Sequence, residues 1–419
     1  MTAAARAVHA DAVIVGDGVP ILDAAVVVDG AGEVLAVGPA GEVLPAHAGA
    51  AIERVKGVVF PGLVNAHTHI ELSAYRGKVS GGRGFVDWVD RFVTLRAETT
   101  AEEEAEGITA GVAELEAACT AAVGDITNAL GAVRALARAG IGGCVFHEVF
   151  GVHREQVMRR VEGLRAELEE RVPAWPTDDL SYAPAPHTLY TTHADAVRVL
   201  LGSAAARGAR TSLHLAEHAP ERRAIEQGDG PVLGWLETRA RATGIAWPKM
   251  PLFDFAASLG ALASNVLAVH CTDARPEELA QVVRSGGHVV FCPRSNLYIE
   301  GRLPPLLAAR AAGAAVALGT DSLASNASLD VLAEARALAD RFSSVPASEL
   351  VTMATWNGAR ALGRPDLGRI AKGARPGLAA VDGAVGADPA AFLLTQVKAP
   401  RRWIVRRASS AARTGETNQ

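Results

Sequence analysis

The chain has 419 residues, 49% of them hydrophobic, with a formal net charge of -5 and a pI near 6.2. That length can bury one large core and a smaller one. The mild acidity offers no basic face for nucleic acid, and no uninterrupted apolar run approaches the roughly 20 residues that span a bilayer. Residues Met1 to Ala10 lack a cationic start followed by an apolar core, so no secretory signal is expected. Cys119, Cys144, Cys271 and Cys292 stand singly without CxxC spacing, which fits a cytoplasmic protein and argues against a disulfide framework or a thiolate zinc site.

From Asp11 to about Val59 the pattern is short and β-like: Ala12 to Val15, Ala25 to Val28 closed by Asp29-Gly30, and Val34 to Val37. After Val58 it changes to strand, loop and helix in repetition, as a (β/α)8 barrel requires. Eight strand ends are predicted near His69, Thr127, Glu148, His187, His214, His270, Cys292 and Asp321. Helices are predicted between most of them, for example Arg154 to Arg171, Ala194 to Arg207, Pro276 to Ser285 and Pro304 to Ala312. A second β-like segment, Gly368 to Arg406, is expected to complete the sheet begun by the N-terminus. The expected organisation is a TIM barrel over residues 60–367, a small discontinuous β-sandwich domain from residues 1–59 and 368–407, and a disordered tail over residues 408–419.

Four of the predicted strand ends carry metal-ligand residue types: His67-Thr68-His69, His214, His270 and Asp321. The HxH alone is weak in a chain with twelve histidines; two surface histidines on a loop would read the same. On a strand, however, residues two apart share a side, so His67 and His69 would aim together into a barrel mouth. His214, Glu217 and His218 form H-x-x-E-H, which on a helix marks a zinc protease. Here Ala209 to Leu213 alternates like a strand, so His214 is read as a strand-end ligand, Glu217 as a loop residue and His218 as a pocket or surface residue. His270 alone could be a hydrogen-bonded core histidine, and Asp321 a helix N-cap. Four such coincidences at four strand ends are improbable together.

Pro61 to His69 resembles the opening motif of the amidohydrolase superfamily, and the split β-domain resembles that superfamily's usual envelope. Within it, His214-Leu215-Ala216-Glu217, Cys292 to Asn296 and Gly319 to Ser322 are similar to the branch of adenosine-type and guanine deaminases and triazine chlorohydrolases. The resemblance implies one divalent metal, zinc first and iron second, on His67, His69, His214 and Asp321. Binuclear members use a carboxylated lysine at the fourth strand's end, and none of Lys56, Lys78, Lys249, Lys372 and Lys398 occupies that place. It implies Glu217 as general acid and base, His270 as the group that holds the attacking hydroxide, and Asp321 as proton acceptor. Asp87, just before Trp88, matches a carboxylate that accepts from ribose hydroxyls, with an N-cap or solvated helix residue as the alternative reading. His187 matches a base- or sugar-contacting histidine. Arg76, Arg83 and Arg294 are cations available near the mouth, or solvated surface arginines. His69 to Ser73, Arg76-Gly77 and the glycine-rich 80–84 stretch are most similar to the aminodeoxyfutalosine deaminases of menaquinone biosynthesis. The expected substrate is 6-amino-6-deoxyfutalosine, an adenine nucleoside whose extension ends in a benzoate. 5'-Methylthioadenosine or S-adenosylhomocysteine deamination comes next, followed by guanine deaminase or chlorohydrolase chemistry. A non-enzymatic scaffold fits less well, because the ligand set is complete. A homodimer is compatible with the chain.

Overall fold

The structure, a computed structural model, describes residues 5–407; the tail expected to be disordered lies outside the described residues. Four strands open the chain: β1 (Arg6–Val13), β2 (Ile21–Val28), β3 (Val34–Pro39) and β4 (Ala51–Pro61). Eight strands follow: β5 (Leu63–Thr68), β6 (Thr120–Thr127), β7 (Gly142–Val149), β8 (Leu180–Pro186), β9 (Thr211–Leu215), β10 (Val266–His270), β11 (His288–Phe291) and β12 (Ala317–Leu318). The chain returns with β13 (Leu378–Asp382) and β14 (Arg402–Val405).

Strands β5 to β8 form one parallel four-stranded sheet, and β9 to β12 form another. Every residue of β5, β6 and β7 is buried. Helices therefore cover one face and a common core the other, which explains why these strands read as near-continuous apolar runs. Hydrogen bonds join the sheets on both sides: Thr320 N–H to His67 O at 2.9 Å and His214 N–H to His187 O at 3.0 Å. Asn65 reinforces the first link, donating to Thr320 Oγ1 at 2.8 Å and accepting from Thr320 N–H at 3.1 Å. The fold is mixed α/β with parallel sheets, of the TIM-barrel type.

The terminal strands form one six-stranded sheet in the order β14-β13-β4-β1-β2-β3, not the two facing sheets of a sandwich. The sheet curls on itself, because its edge strands meet: a Cβ at Gly32, just before β3, would lie 3.3 Å from Val405 Cγ1 of β14, and Val34 and Ile404 share one apolar cluster. Curling gives the same enclosed core that two sheets would. Strand β4 has no counterpart among the predicted strands, and its register explains why. Between the Val55–Ala10 and Val58–Ala12 pairs it carries one extra residue, a bulge at Gly57 (φ 156°) that shifts the alternation mid-strand. Strand β1 likewise begins at Arg6, earlier than the predicted run.

Gly62 alone separates the curled sheet from the first parallel strand. A Cβ there would lie 2.6 Å from Ala121 Cβ and 2.7 Å from Pro376 O, so no side chain fits at the switch between the two sheets. Gly62→Val should lower folding stability by about 1 to 3 kcal/mol through forced backbone movement. In denaturant unfolding the midpoint should fall while the slope stays unchanged.

Candidate metal centre and substrate cavity

His67 and His69 lie on the same side of β5 and its end, with ring centroids 5.0 Å apart. His214, at the end of β9, brings its ring to 4.9 Å from His67 and 5.4 Å from His69. The Nε2 atoms of His69 and His214 are 3.3 Å apart. Asp321, just beyond β12, places Oδ1 3.7 Å from His67 Nε2 and 3.5 Å from His69 Nε2. His270, ending β10, has its ring 5.6 Å from His67 and 5.4 Å from His214.

Two observations test whether this cluster fits a metal ion. His67 is fully buried, and among the described residues neither of its ring nitrogens has a hydrogen-bond partner, Asp321 Oδ1 standing 3.7 Å from Nε2; a lone pair left so costs stability unless an electron-pair acceptor completes it. The outer partners also point the right atoms inward. His214 Nδ1 donates to His187 O at 3.0 Å, which leaves its Nε2 lone pair toward the centre. Asp321 Oδ2 accepts from Ser295 Oγ at 2.5 Å and Ser325 Oγ at 3.0 Å, leaving Oδ1 for the histidines. The donor set of three imidazoles and a carboxylate suits zinc or iron.

Electrostatics favour the ligating forms. Burial, followed by neighbouring imidazoles, lowers His214 to about 3 and holds His69 well below the usual histidine range, so both stay neutral. Burial pushes the Asp321 carboxyl up, but its contacts with His67, then His69 and His270, outweigh that and hold it well below the usual carboxylate range. Glu217 goes the other way: burial, with Asp321 next in effect, raises it well above the carboxylate range. Its Oε1 lies 3.7 Å from His270 Nε2. One site thus holds two carboxyls shifted in opposite directions, as a division of acid and base roles between them needs.

The backbone is bent to achieve this. Ala216, His270, Cys271 and Asp321 all adopt positive φ, at 50°, 71°, 46° and 57°, conformations costly for residues with a Cβ. At Gly319 a Cβ would meet His67 Cβ and O at 2.6 Å, so only glycine lets β12 approach the first ligand this closely.

Above the cluster opens a cavity of about 580 Å³. His69, Glu148, His187, His214, Glu217, His270 and Asp321 line it on the metal side. The helix Phe85–Glu98 supplies one wall through Phe85, Trp88, Phe92 and Arg96, and the helix Pro231–Arg239 supplies Trp235 and Arg239. His187 is therefore at the cavity as expected. Asp87, Arg76, Arg83 and Arg294 are not among the lining residues. Asp87 pairs with Arg91 at 3.0 Å, Arg76 contacts Ala327 O and Glu114, and Arg294 donates to Ser328 Oγ at 2.7 Å. His218 is buried, stacks on Phe85 and caps the helix Ala219–Gln227 by accepting Glu221 N–H at 3.0 Å.

A model of the amidohydrolase family matches residues 58–406, and the chain belongs to that family. An aminodeoxyfutalosine deaminase of Deinococcus radiodurans is 31% identical over 322 residues, covering 75% of each chain. A 5-methylthioadenosine/S-adenosylhomocysteine deaminase of Halobacterium salinarum is 34% identical over 377 residues, or 86% of this chain and 80% of the relative. Among solved structures, Helicobacter pylori aminofutalosine deaminase in complex with methylthio-coformycin superposes with a TM-score of 0.85 at 22% identity, covering 96% of this chain and 98% of that one. An adenosine deaminase from Xanthomonas campestris with bound zinc gives 0.74 at 24% identity, covering 94% and 89%. At such identities these two structures speak to the fold.

The purified protein should carry about one equivalent of divalent metal per chain. His67→Ala should reduce this below about a tenth, while His187→Ala should retain it, because His187 is directed toward Glu148 and the substrate side. Elemental analysis of the folded variants decides between this ligand set and the neighbouring Glu148, His187 and His214 group.

Proposed function

We propose that the chain is a divalent-metal-dependent hydrolase, with zinc as its ion, that removes the amine of an adenine nucleoside as ammonia. The observation that carries this reading is the buried Glu217 carboxyl, its Oε1 3.7 Å from His270 Nε2, at the foot of an aromatic-walled cavity of about 580 Å³ that Asp321 also lines. We further read the two parallel sheets as one closed (β/α)8 barrel over residues 60–367, supported by hydrogen bonds at both sheet junctions. Residues 5–59 and 368–407 would form the curled-sheet domain around it.

When bound, a divalent ion lowers the pKa of water toward neutrality, so that a nucleophile exists at working pH. Asp321 takes the proton released as that nucleophile forms. His270 holds the nucleophile by a hydrogen bond, its ring steadied from behind by Asn296 Nδ2, 3.4 Å from Nδ1. Glu217 gives its proton to the ring nitrogen beside the amine-bearing carbon, which makes that carbon electrophilic. Water then supplies its oxygen to the carbon; of its two protons, one balances the proton left on the ring nitrogen and the other departs with ammonia. The aromatic walls suit a purine and an apolar extension of the sugar.

The relatives favour 6-amino-6-deoxyfutalosine as substrate through the Deinococcus enzyme, and 5'-methylthioadenosine or S-adenosylhomocysteine through the Halobacterium one. Ammonia release across adenine nucleosides with different 5'-substituents separates these readings. Release of chloride from a chlorotriazine, or of ammonia from guanine but from no adenine nucleoside, would overturn the assignment. Glu217→Gln should keep its metal yet lose at least about a hundredfold in turnover, since proton transfer is removed and no ligand is.

A further inference from the structure

Two arginines line the cavity, Arg96 and Arg239, and they differ in what holds them. Arg239 is already engaged: its Nε donates to Asp90 Oδ1 at 2.7 Å and its second nitrogen to Thr94 Oγ1 at 3.1 Å. Arg96 has no carboxylate within ion-pairing reach among the described residues, and its one side-chain hydrogen bond is to the amide oxygen of Asn128, at 3.3 Å. Asn128 in turn donates to Glu148 Oε2 at 3.0 Å. The remaining Glu148 oxygen makes no hydrogen bond among the described residues and lies 3.8 Å from His214 Nδ1 and 4.0 Å from His187 Nε2.

A guanidinium has five N–H donors in a planar fork, so Arg96 retains donors aimed at no protein acceptor. It lies on the same helical stripe as Trp88 and Phe92, one turn further on, so the aromatic wall leads to it. Arg96 is only half-buried, so its spare donors remain open to the cavity, where an entering anion can reach them.

We infer that Arg96 is a specificity-determining residue which binds a carboxylate at the far end of the substrate's apolar extension, with Asn128 holding the guanidinium in place. This rests on the nucleoside reading of the site and narrows its substrate class: a nucleoside with an anionic tail is preferred over one with a neutral tail. Bidentate binding of a carboxylate by the planar fork supplies both strength and orientation.

The test measures binding apart from turnover, by quenching of tryptophan fluorescence, since Trp88 and Trp235 line the cavity. The probes are two deaminated nucleosides that differ only in ending in a benzoate or in the corresponding benzamide. The unmodified enzyme should bind the carboxylate about 10- to 100-fold more tightly. Arg96→Gln should abolish that preference with the benzamide affinity nearly unchanged, Arg96→Lys should restore part of it, and Asn128→Ala should weaken it. Arg96→Gln should keep the metal content and the denaturant-unfolding midpoint of the unmodified enzyme, which shows that the variant is folded. No carboxylate preference in the unmodified enzyme, or an equal loss on both probes in Arg96→Gln, overturns the inference while leaving deamination standing. Failure of every adenine nucleoside to release ammonia from the unmodified enzyme overturns the nucleoside reading and this inference with it.

Discussion

The structure turns on a buried histidine. Among the described residues neither ring nitrogen of His67 has a hydrogen-bond partner, Asp321 Oδ1 stands 3.7 Å away, and the rings of His69, His214 and His270 crowd around it. Leaving such a polar group unsatisfied costs about 1 to 3 kcal/mol. A cation that takes the one lone pair of the neutral His67 ring would offset part of that cost, so metal binding and stability are coupled. The neutral imidazoles and the ionised Asp321 present the forms that such binding needs.

Around this centre the strand ends are held by buried carboxylates that cap loops. Glu71 accepts the backbone N–H groups of Asn128, Ala129 and Gly131, at 2.9 to 3.2 Å, and so fixes the loop after β6. Glu221 accepts those of Ala216 and Glu217, at 3.1 and 2.8 Å, and fixes the loop after β9. Glu334 accepts the N–H of Arg294 at 2.8 Å and the side chain of Asn326 at 2.7 Å, tying the loops after β11 and β12. Loops pinned at their backbone can keep side chains such as Glu217 and Asn128 in place without the whole barrel being rigid. The left-handed residues at the strand ends are held in the same way, by structure that over-determines them.

How much of this could be read in the sequence depended on whether the signal was periodic. The parallel strands are short apolar runs that stop at His67-Thr68-His69, His214, His270 and Asp321, so their ends, and with them the central cluster, were legible. Strand β4 was not, because the bulge at Gly57 breaks its alternation. The cavity wall was half legible. Phe85, Trp88, Phe92 and Arg96 recur at helical spacing, which would have carried Arg96 to the inner face, whereas Asp87 stands about 100° around the helix from Trp88 and turns to Arg91. Arg76 and Arg294 were read from charge alone, and their partners, Glu114 and Ser328, are distant in sequence and visible only in the fold. Glu148 closed a predicted strand, but nothing local showed that its carboxylate accepts from Asn128 Nδ2 at 3.0 Å and lies 3.8 Å from His214 Nδ1.

A crystal of the purified protein, with anomalous scattering measured across the metal absorption edge, tests the central claim most directly. The account predicts a single peak within about 2.0 to 2.3 Å of the imidazole nitrogens of His67, His69 and His214 and of Asp321 Oδ1. A peak seated instead between Glu148 and His187, or two peaks bridged across the mouth, would contradict it.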